Sequence, residues 1–374
     1  LVARKFKCKS RGIRFNLGTI CGLRESIVWY MPSRIKRLFR AKLVCFALLV
    51  LVLLLAGMVY EQWGRSKDRK RLAQVGRSVD IGGRNLNMYC SGEGAPTVIL
   101  ISGNAMPGYS WSKIQPEIAK YTRACWFDRA GEGWSDPGPF PRSSMATAQD
   151  LHLLLERADV PPPYILVGHS LGGLDARIFN GLYANEVAGA VLVDAAHEDE
   201  PKRAPAFMLG RSAPRYMWHP LHAIFSAAAN AGVIRLTTPS SPLPETASQR
   251  TLEQVIAALQ TRPQAIASFS SGGVVSADSY AQAHAAGGFG DRPLIVLTRG
   301  KAASHAPQDE MEKQANDYEQ VWMHELQPQL ARLSTRGRQV IVTNSGHRIP
   351  EEAPEAILGA VREVVTLSRE NPSK

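Results

Sequence analysis

The sequence predicts an α/β fold, a mostly parallel central sheet covered by helices on both faces and interrupted by one mainly helical insertion. Three observations carry this. Short apolar runs of strand length alternate with helix-length segments over most of residues 75–370, and such alternation builds parallel sheets buried on both faces. A strand pattern at 164–167 passes through Gly168-His169-Ser170-Leu171-Gly172 into a helical pattern at 171–183. The alternation stops over 197–290, which is rich in Ala, Pro and Ser, and then resumes. A stretch of that length without sheet strands is unusual unless it serves a function.

The elements follow in order. Residues 75–81 and 84–90 read as a hairpin around Gly82-Gly83. TVILIS at 97–102 is a short buried strand, 111–120 is helical, and 123–128 is another strand. An amphipathic helix at 145–158 is stopped by Pro161-Pro162-Pro163. GAVLVD at 189–194 is the next strand; PLIVLT at 293–298 and QVIVT at 339–343 are two more. A helical stretch at 308–333 separates these last two, and 354–368 closes the chain as a helix. Within the insertion, 251–260 is the clearest helical piece.

Gly168-His169-Ser170-Leu171-Gly172 has the G-x-S-x-G form of a nucleophile elbow. A serine on a one-residue turn between strand and helix takes a strained backbone conformation, so residues two positions away must be small. Gly168 and Gly172 meet that need. The turn lifts the hydroxyl above the sheet, and the helix N-terminus stabilises negative charge that develops beside it.

Charge is unevenly placed. The chain carries +11, and residues 1–71 hold 17 Lys/Arg against 3 Asp/Glu, a surplus of 14 that leaves the remainder at −3. Nucleic-acid binding by the body is therefore disfavoured. Residues 43–60 form an uncharged apolar run, as a helix roughly 27 Å long and close to the ~30 Å core of a bilayer. Twelve Lys/Arg precede it and five follow shortly after. The excess predicts a single-pass signal anchor with a cytoplasmic N-terminus and the catalytic body on the periplasmic or extracellular side. Residues 1–42 are then a basic N-terminal segment and 61–74 a charged juxtamembrane linker. Met31 opens a normal basic lead to the apolar run, so residues 1–30 are read as an extension outside the translated protein. Among five cysteines no spacing suits zinc, and no metal or organic cofactor is expected.

From residue 75 onward the chain resembles the α/β-hydrolases, in particular their capped group of esterases, dehalogenases and epoxide hydrolases. The resemblance rests on SGNAMPG (102–108), DRAGEGWSD (128–136), PYILVGHSLGG (163–173), VLVDAAHED (191–199) and SGH (345–347). It implies the α/β-hydrolase fold, with core 75–196 and 291–370 and cap 197–290. It implies Ser170 as nucleophile and His347, after the last strand, as its base. Most of the family carries the acid after the strand matched by 293–298, where this chain has Arg299-Gly300-Lys301 and no carboxylate before Asp309. Some capped relatives place it one strand earlier, which here is Asp194. Asp194 is the acid of choice and Asp309 the alternative. The oxyanion donors implied are the backbone N–H groups of Leu171 and Asn104. Asp128, Arg129, Gly131 and Gly133 match the family's D-R-x-G-x-G turn, read as structural with an Asp–Arg pair. The fold brings the second and fourth strands side by side, which points to a disulfide between Cys90 and Cys125, with two buried thiols as the alternative.

The function expected is a membrane-anchored serine hydrolase that cleaves a small ester-like substrate through an acyl-enzyme. A Ser nucleophile disfavours dehalogenase and epoxide-hydrolase chemistry. The alternatives are a cofactor-free haloperoxidase or perhydrolase on the same triad, and a non-catalytic binding module. Neither substrate nor oligomeric state is legible.

Overall fold

Eight strands pair in the order β1-β2-β4-β3-β5-β6-β7-β8. They are β1 (Arg77–Asp80), β2 (Asn85–Ser91), β3 (Thr97–Ile101), β4 (Ala124–Phe127), β5 (Tyr164–His169), β6 (Val187–Val193), β7 (Leu294–Arg299) and β8 (Gly337–Val342). The computed structural model describes residues 33–370 except 141, 209–214, 245, 271–276 and 302–306. The reading of residues 1–30 and Met31 falls outside them.

Contacts divide the chain into two units, Leu1–Ala56 and Gly57–Lys374. Helix α1 (Ser33–Arg71) starts in the first. Its stretch Arg37–Arg71 is long and apolar enough to cross a membrane, with a mean hydropathy of 2.9 in its most apolar window. The residues read as a juxtamembrane linker are helical as far as Arg71. Glu61 and Gly64 on one face of these turns are buried.

The sheet of the second unit is antiparallel only where β2 meets β1 and β4. From β4 through β8 every pairing is parallel. Alternate residues serve opposite faces, as strand pleating requires. Ile99, Ile101, Leu166 and Leu192 enter one core with α2 (Ser144–Arg157) and α3 (Leu171–Leu182). Val98, Leu100, Val167 and Val191 enter the other. There Ile357, Val361, Val364 and Val365 form the helical stripe of the C-terminal helix Pro354–Glu370. Each such side chain contributes roughly 1.5–3 kcal/mol of burial.

In the β2–β4 ladder Cys90 stands directly opposite Cys125, and the two are joined by a disulfide. The helix expected over 111–120 is instead a 3₁₀ turn, Gly108–Trp111, and a short helix, Gln115–Ile118. Pro116 lacks the N–H that a continuous helix would need there.

Residues 197–290 are largely helical. They contain α4 (Arg215–Asn230), α5 (Val233–Thr237), α6 (Leu252–Gln260), α7 (Pro263–Ser270) and α8 (Ala277–Ala285). Thr251 and Gln254 form a capping box that starts α6. Beyond β7, α9 (Glu310–Val321) runs through a single π-helical turn, Trp322–Leu326, into α10 (Gln327–Ala331).

Candidate active site

Ser170 lies on the one-residue turn between β5 and α3 with φ 54° and ψ −120°. A Cβ on Gly168 would sit 2.3 Å from Gly172 O, and one on Gly172 would sit 2.4 Å from Ile101 O. Both positions therefore require glycine. Four non-glycine residues among those described have positive φ: Ala105, Asp159, Ser170 and Asp194. Three of the four lie at this site, where strain tends to be kept for function.

The structure brings Ser170, His347 and Asp194 together. His347 Nε2 is 3.1 Å from Ser170 Oγ, and His347 Nδ1 hydrogen bonds Asp194 Oδ2. Asp194 follows β6 and is fully buried. Its Oδ1 accepts from Trp322 Nε1 at 2.8 Å and from the Arg299 backbone N–H at 3.1 Å. Its Oδ2 also accepts from Arg299 Nη1 at 2.7 Å. Burial alone would raise this carboxyl. The His347 hydrogen bond, the Arg299 charge and the Trp322 donor outweigh burial and hold it at about 2. Asp309 is elsewhere engaged: it N-caps α9, its side chain accepting from the Glu312 N–H at 2.7 Å.

Arg299 and Trp322 are site residues that the sequence does not single out, whereas His169 reads as a packing or hydrogen-bonding residue of the elbow. Arg299 stands at the end of β7, where a carboxylate was sought, and also pairs with Glu319. Trp322 opens the π turn; such turns are frequent at functional sites because they re-aim a side chain. His169 places Nε2 at 2.9 Å from the His347 carbonyl oxygen. Burial and then the neighbouring His347 push its imidazole down to about 4, so near neutral pH it donates as a neutral ring and holds the His347 loop.

This gives a sign for pH. A His with a depressed folded value stabilises the fold above the unfolded value near 6.5, and that stability is lost as pH falls toward about 4. We expect the stability of wild type relative to His169→Gln to fall by about 3 kcal/mol between pH 7 and 4. Parallel melts of the two proteins across that range test it; a constant difference refutes it.

Leu171 is the first residue of α3, so its N–H has no acceptor inside the helix. Opposite it runs the loop after β3. A Cβ on Gly103 would meet Ser170 Cβ at 3.3 Å, so this loop packs against Ser170, and Asn104 follows directly. Asn104 Oδ1 is buried without a partner. Buried Arg129 secures the loop: it donates to the carbonyls of Ser102 and Gly103 and pairs with Asp175 on α3. The expected Asp128–Arg129 pair is thereby corrected. Asp128 instead accepts from Gly108 N, Trp134 N and Asn87 Nδ2, because a residue's neighbour on an extended turn points the other way.

A cavity of about 300 Å³ lies between this loop and the helices of the 197–290 insertion, its lining including Ala105, Pro107, Ala130, Leu259 and Ile266. Gln260 of α6 also lines it and donates to the Ala105 carbonyl at 2.9 Å. Among the described residues no group of three or more His, Cys, Asp or Glu could hold a metal.

The chain is similar to the uncharacterized protein YbdG of Bacillus subtilis, 28% identical over 153 residues, which is 40% of this chain and 47% of that protein. The matched stretch thus spans less than half of that curated relative's length. The structure is similar to a thermophilic esterase from Thermogutta terrifontis at 19% identity and TM-score 0.50, over 79% of this chain and 99% of the esterase. It is also similar to the epoxide hydrolase CorEH at 18% identity and TM-score 0.53, over 78% and 99%. At these identities the structural likeness speaks for the fold. The model of the alpha/beta hydrolase family matches residues 98–360, and the chain belongs to that family.

Proposed function

We propose that this chain is a membrane-anchored serine hydrolase that cleaves carboxylic esters or related acyl bonds. The observation that carries the reading is the continuous run of contacts from Ser170 Oγ through His347 to buried Asp194. A serine hydroxyl needs an adjacent base to attack a carbonyl. His347 takes the Ser170 proton as the Oγ–C bond forms, and Asp194 stabilises the imidazolium. The N–H groups of Leu171 and Asn104 receive the oxyanion. His347 then protonates the leaving alcohol, and water attacks the acyl-enzyme with His347 again as base. Arg299 keeps Asp194 ionised throughout this cycle.

The test uses the full chain in detergent. Fluorophosphonate labels serine nucleophiles of this kind, and p-nitrophenyl esters from acetate to palmitate sample acyl length. We expect labelling that disappears in Ser170→Ala, and turnover that peaks where the acyl chain fills the cavity. A folded protein that neither labels nor turns over any ester sinks the hydrolase reading in favour of a binding module. Peracid formation outpacing hydrolysis in acetate and peroxide favours the perhydrolase instead.

A further inference from the structure

The turns of α1 from Gly57 to Arg71 are built into the cap. Gly57, Glu61, Gly64 and Asp68 recur at helical spacing on one face. A Cβ on Gly57 would lie 2.2 Å from Ala231 O, and one on Gly64 would lie 2.3 Å from Arg235 Nε. Helix and cap therefore touch almost backbone to backbone at Gly57. Glu61 is fully buried and accepts from Arg235 and Arg65, and Arg235 also reaches Asp68. Arg71 donates to the Ser241 carbonyl, and Arg250 donates to that of Arg71. These bonds fix α5 at one level of the helix.

That level is inside the apolar run. Gly57 precedes its last residue, Tyr60, by three positions, or roughly 4.5 Å along a helix. If 43–60 fills the hydrocarbon core, the corner between α4 and α5 reaches the bilayer boundary. The side chains there suit that place. Leu236 is 69% exposed, Ile224 61% and Val233 48%, alongside Val59 at 70% and Trp63 at 56%. Trp63 lies just past the run with Lys67 over its ring, the arrangement favoured where apolar and headgroup layers meet. Exposed Lys67, Arg69 and Lys70 follow on the headgroup side.

We propose that the α4–α5 corner of the cap is a bilayer-docking surface, with Val233, Leu236 and Ile224 seated among the lipids at the level of Val59 and Trp63. The proposal rests on the anchored-hydrolase reading and extends it to how substrate arrives. Ile266, which lines the cavity, packs on the cluster of Ala229, Ile234 and Ala267 just behind this corner. The cavity wall and the lipid-facing surface are then two sides of one thin layer, suited to amphiphilic esters dissolved in the membrane.

The experiment places the full chain, with Cys8, Cys21 and Cys45 changed to serine, in phosphatidylcholine–phosphatidylglycerol nanodiscs. Single cysteines replace Leu236, Val233, Val52 or Glu363 and carry a fluorophore; lipids with a spin label near the headgroup or deep in the chain quench it. The shallow label is expected to quench Leu236→Cys and Val233→Cys at least threefold more than Glu363→Cys on the C-terminal helix. The deep label is expected to quench Val52→Cys. Quenching of Val52→Cys alone, with both cap positions at the Glu363→Cys level, overturns the docking surface and leaves the anchor standing. No quenching at Val52→Cys removes the anchor and this surface together, while the esterase test remains independent. Two exposed cap positions guard against one substitution failing to fold.

Discussion

Ser170→Ala is expected to lower kcat for a short p-nitrophenyl ester by about 10⁶-fold, and Asp194→Asn by about 10⁴-fold. The two numbers differ for a structural reason. In the proposed mechanism Ser170 forms the covalent bond, whereas Asp194 sets the tautomer of His347 and stabilises its cation. An asparagine keeps the volume but offers His347 Nδ1 an amide that can present a donor, so the ring is held with the wrong nitrogen protonated. Asp194→Ala adds a stability cost, because half-buried Arg299 and buried Trp322 Nε1 both lose an acceptor. Removing one partner of a buried ion pair typically costs about 3–5 kcal/mol, here reduced by the remaining Glu319 partner. Asp309→Ala is the discriminating control: it removes a helix cap worth about 1 kcal/mol and should leave kcat unchanged. Steady-state rates with melting curves on all four variants decide the matter. A large kcat loss in Asp309→Ala with little change in Asp194→Asn would hand the acid role to Asp309.

That choice marks where the sequence stopped being legible. The strands and the elbow could be read because each is a local pattern: alternating or continuous apolar runs, and glycines two residues either side of Ser170. The acid is a non-local property. Nothing within a few residues of Asp194 distinguishes it from any carboxylate at a strand end; its role depends on His347 and Trp322, over a hundred residues away in sequence. Arg299 was seen only as a missing carboxylate, yet a cation there is what a buried acid from the preceding strand needs. The turns after Tyr60 show a second limit. Their Lys/Arg density reads as solvated linker, while Gly57, Glu61, Gly64 and Asp68 at helical spacing were the signal of a packed face. A composition average cannot see a stripe that occupies one side of a helix. His169 and Arg129 lie inside recognised motifs, but their partners, the His347 carbonyl and Asp175, become visible only in three dimensions.

Breaking the Cys90–Cys125 link is expected to weaken the fold by several kcal/mol. The disulfide spans 35 residues, and closing a loop of that length stabilises a fold by about 4 kcal/mol through the entropy it removes from the unfolded chain. Its position makes the effect functional as well. The enclosed segment contains β3, the loop through Gly103 and Asn104, and the short helix Gln115–Ile118, so the link closes around the proposed oxyanion loop. It also ties the β1–β2 hairpin, which meets the rest of the sheet only through the β2–β4 ladder. Cys90→Ala/Cys125→Ala protein is therefore expected to melt roughly 10 °C below wild type and to lose ester turnover at temperatures where wild type is still active. Wild type in reductant should melt like the double variant, and reductant should not move the double variant. A wild-type melt indifferent to reductant would mean that the two cysteines are thiols in the working protein. The hairpin would then be held by its ladder and by the Leu86 and Met88 side chains in the core.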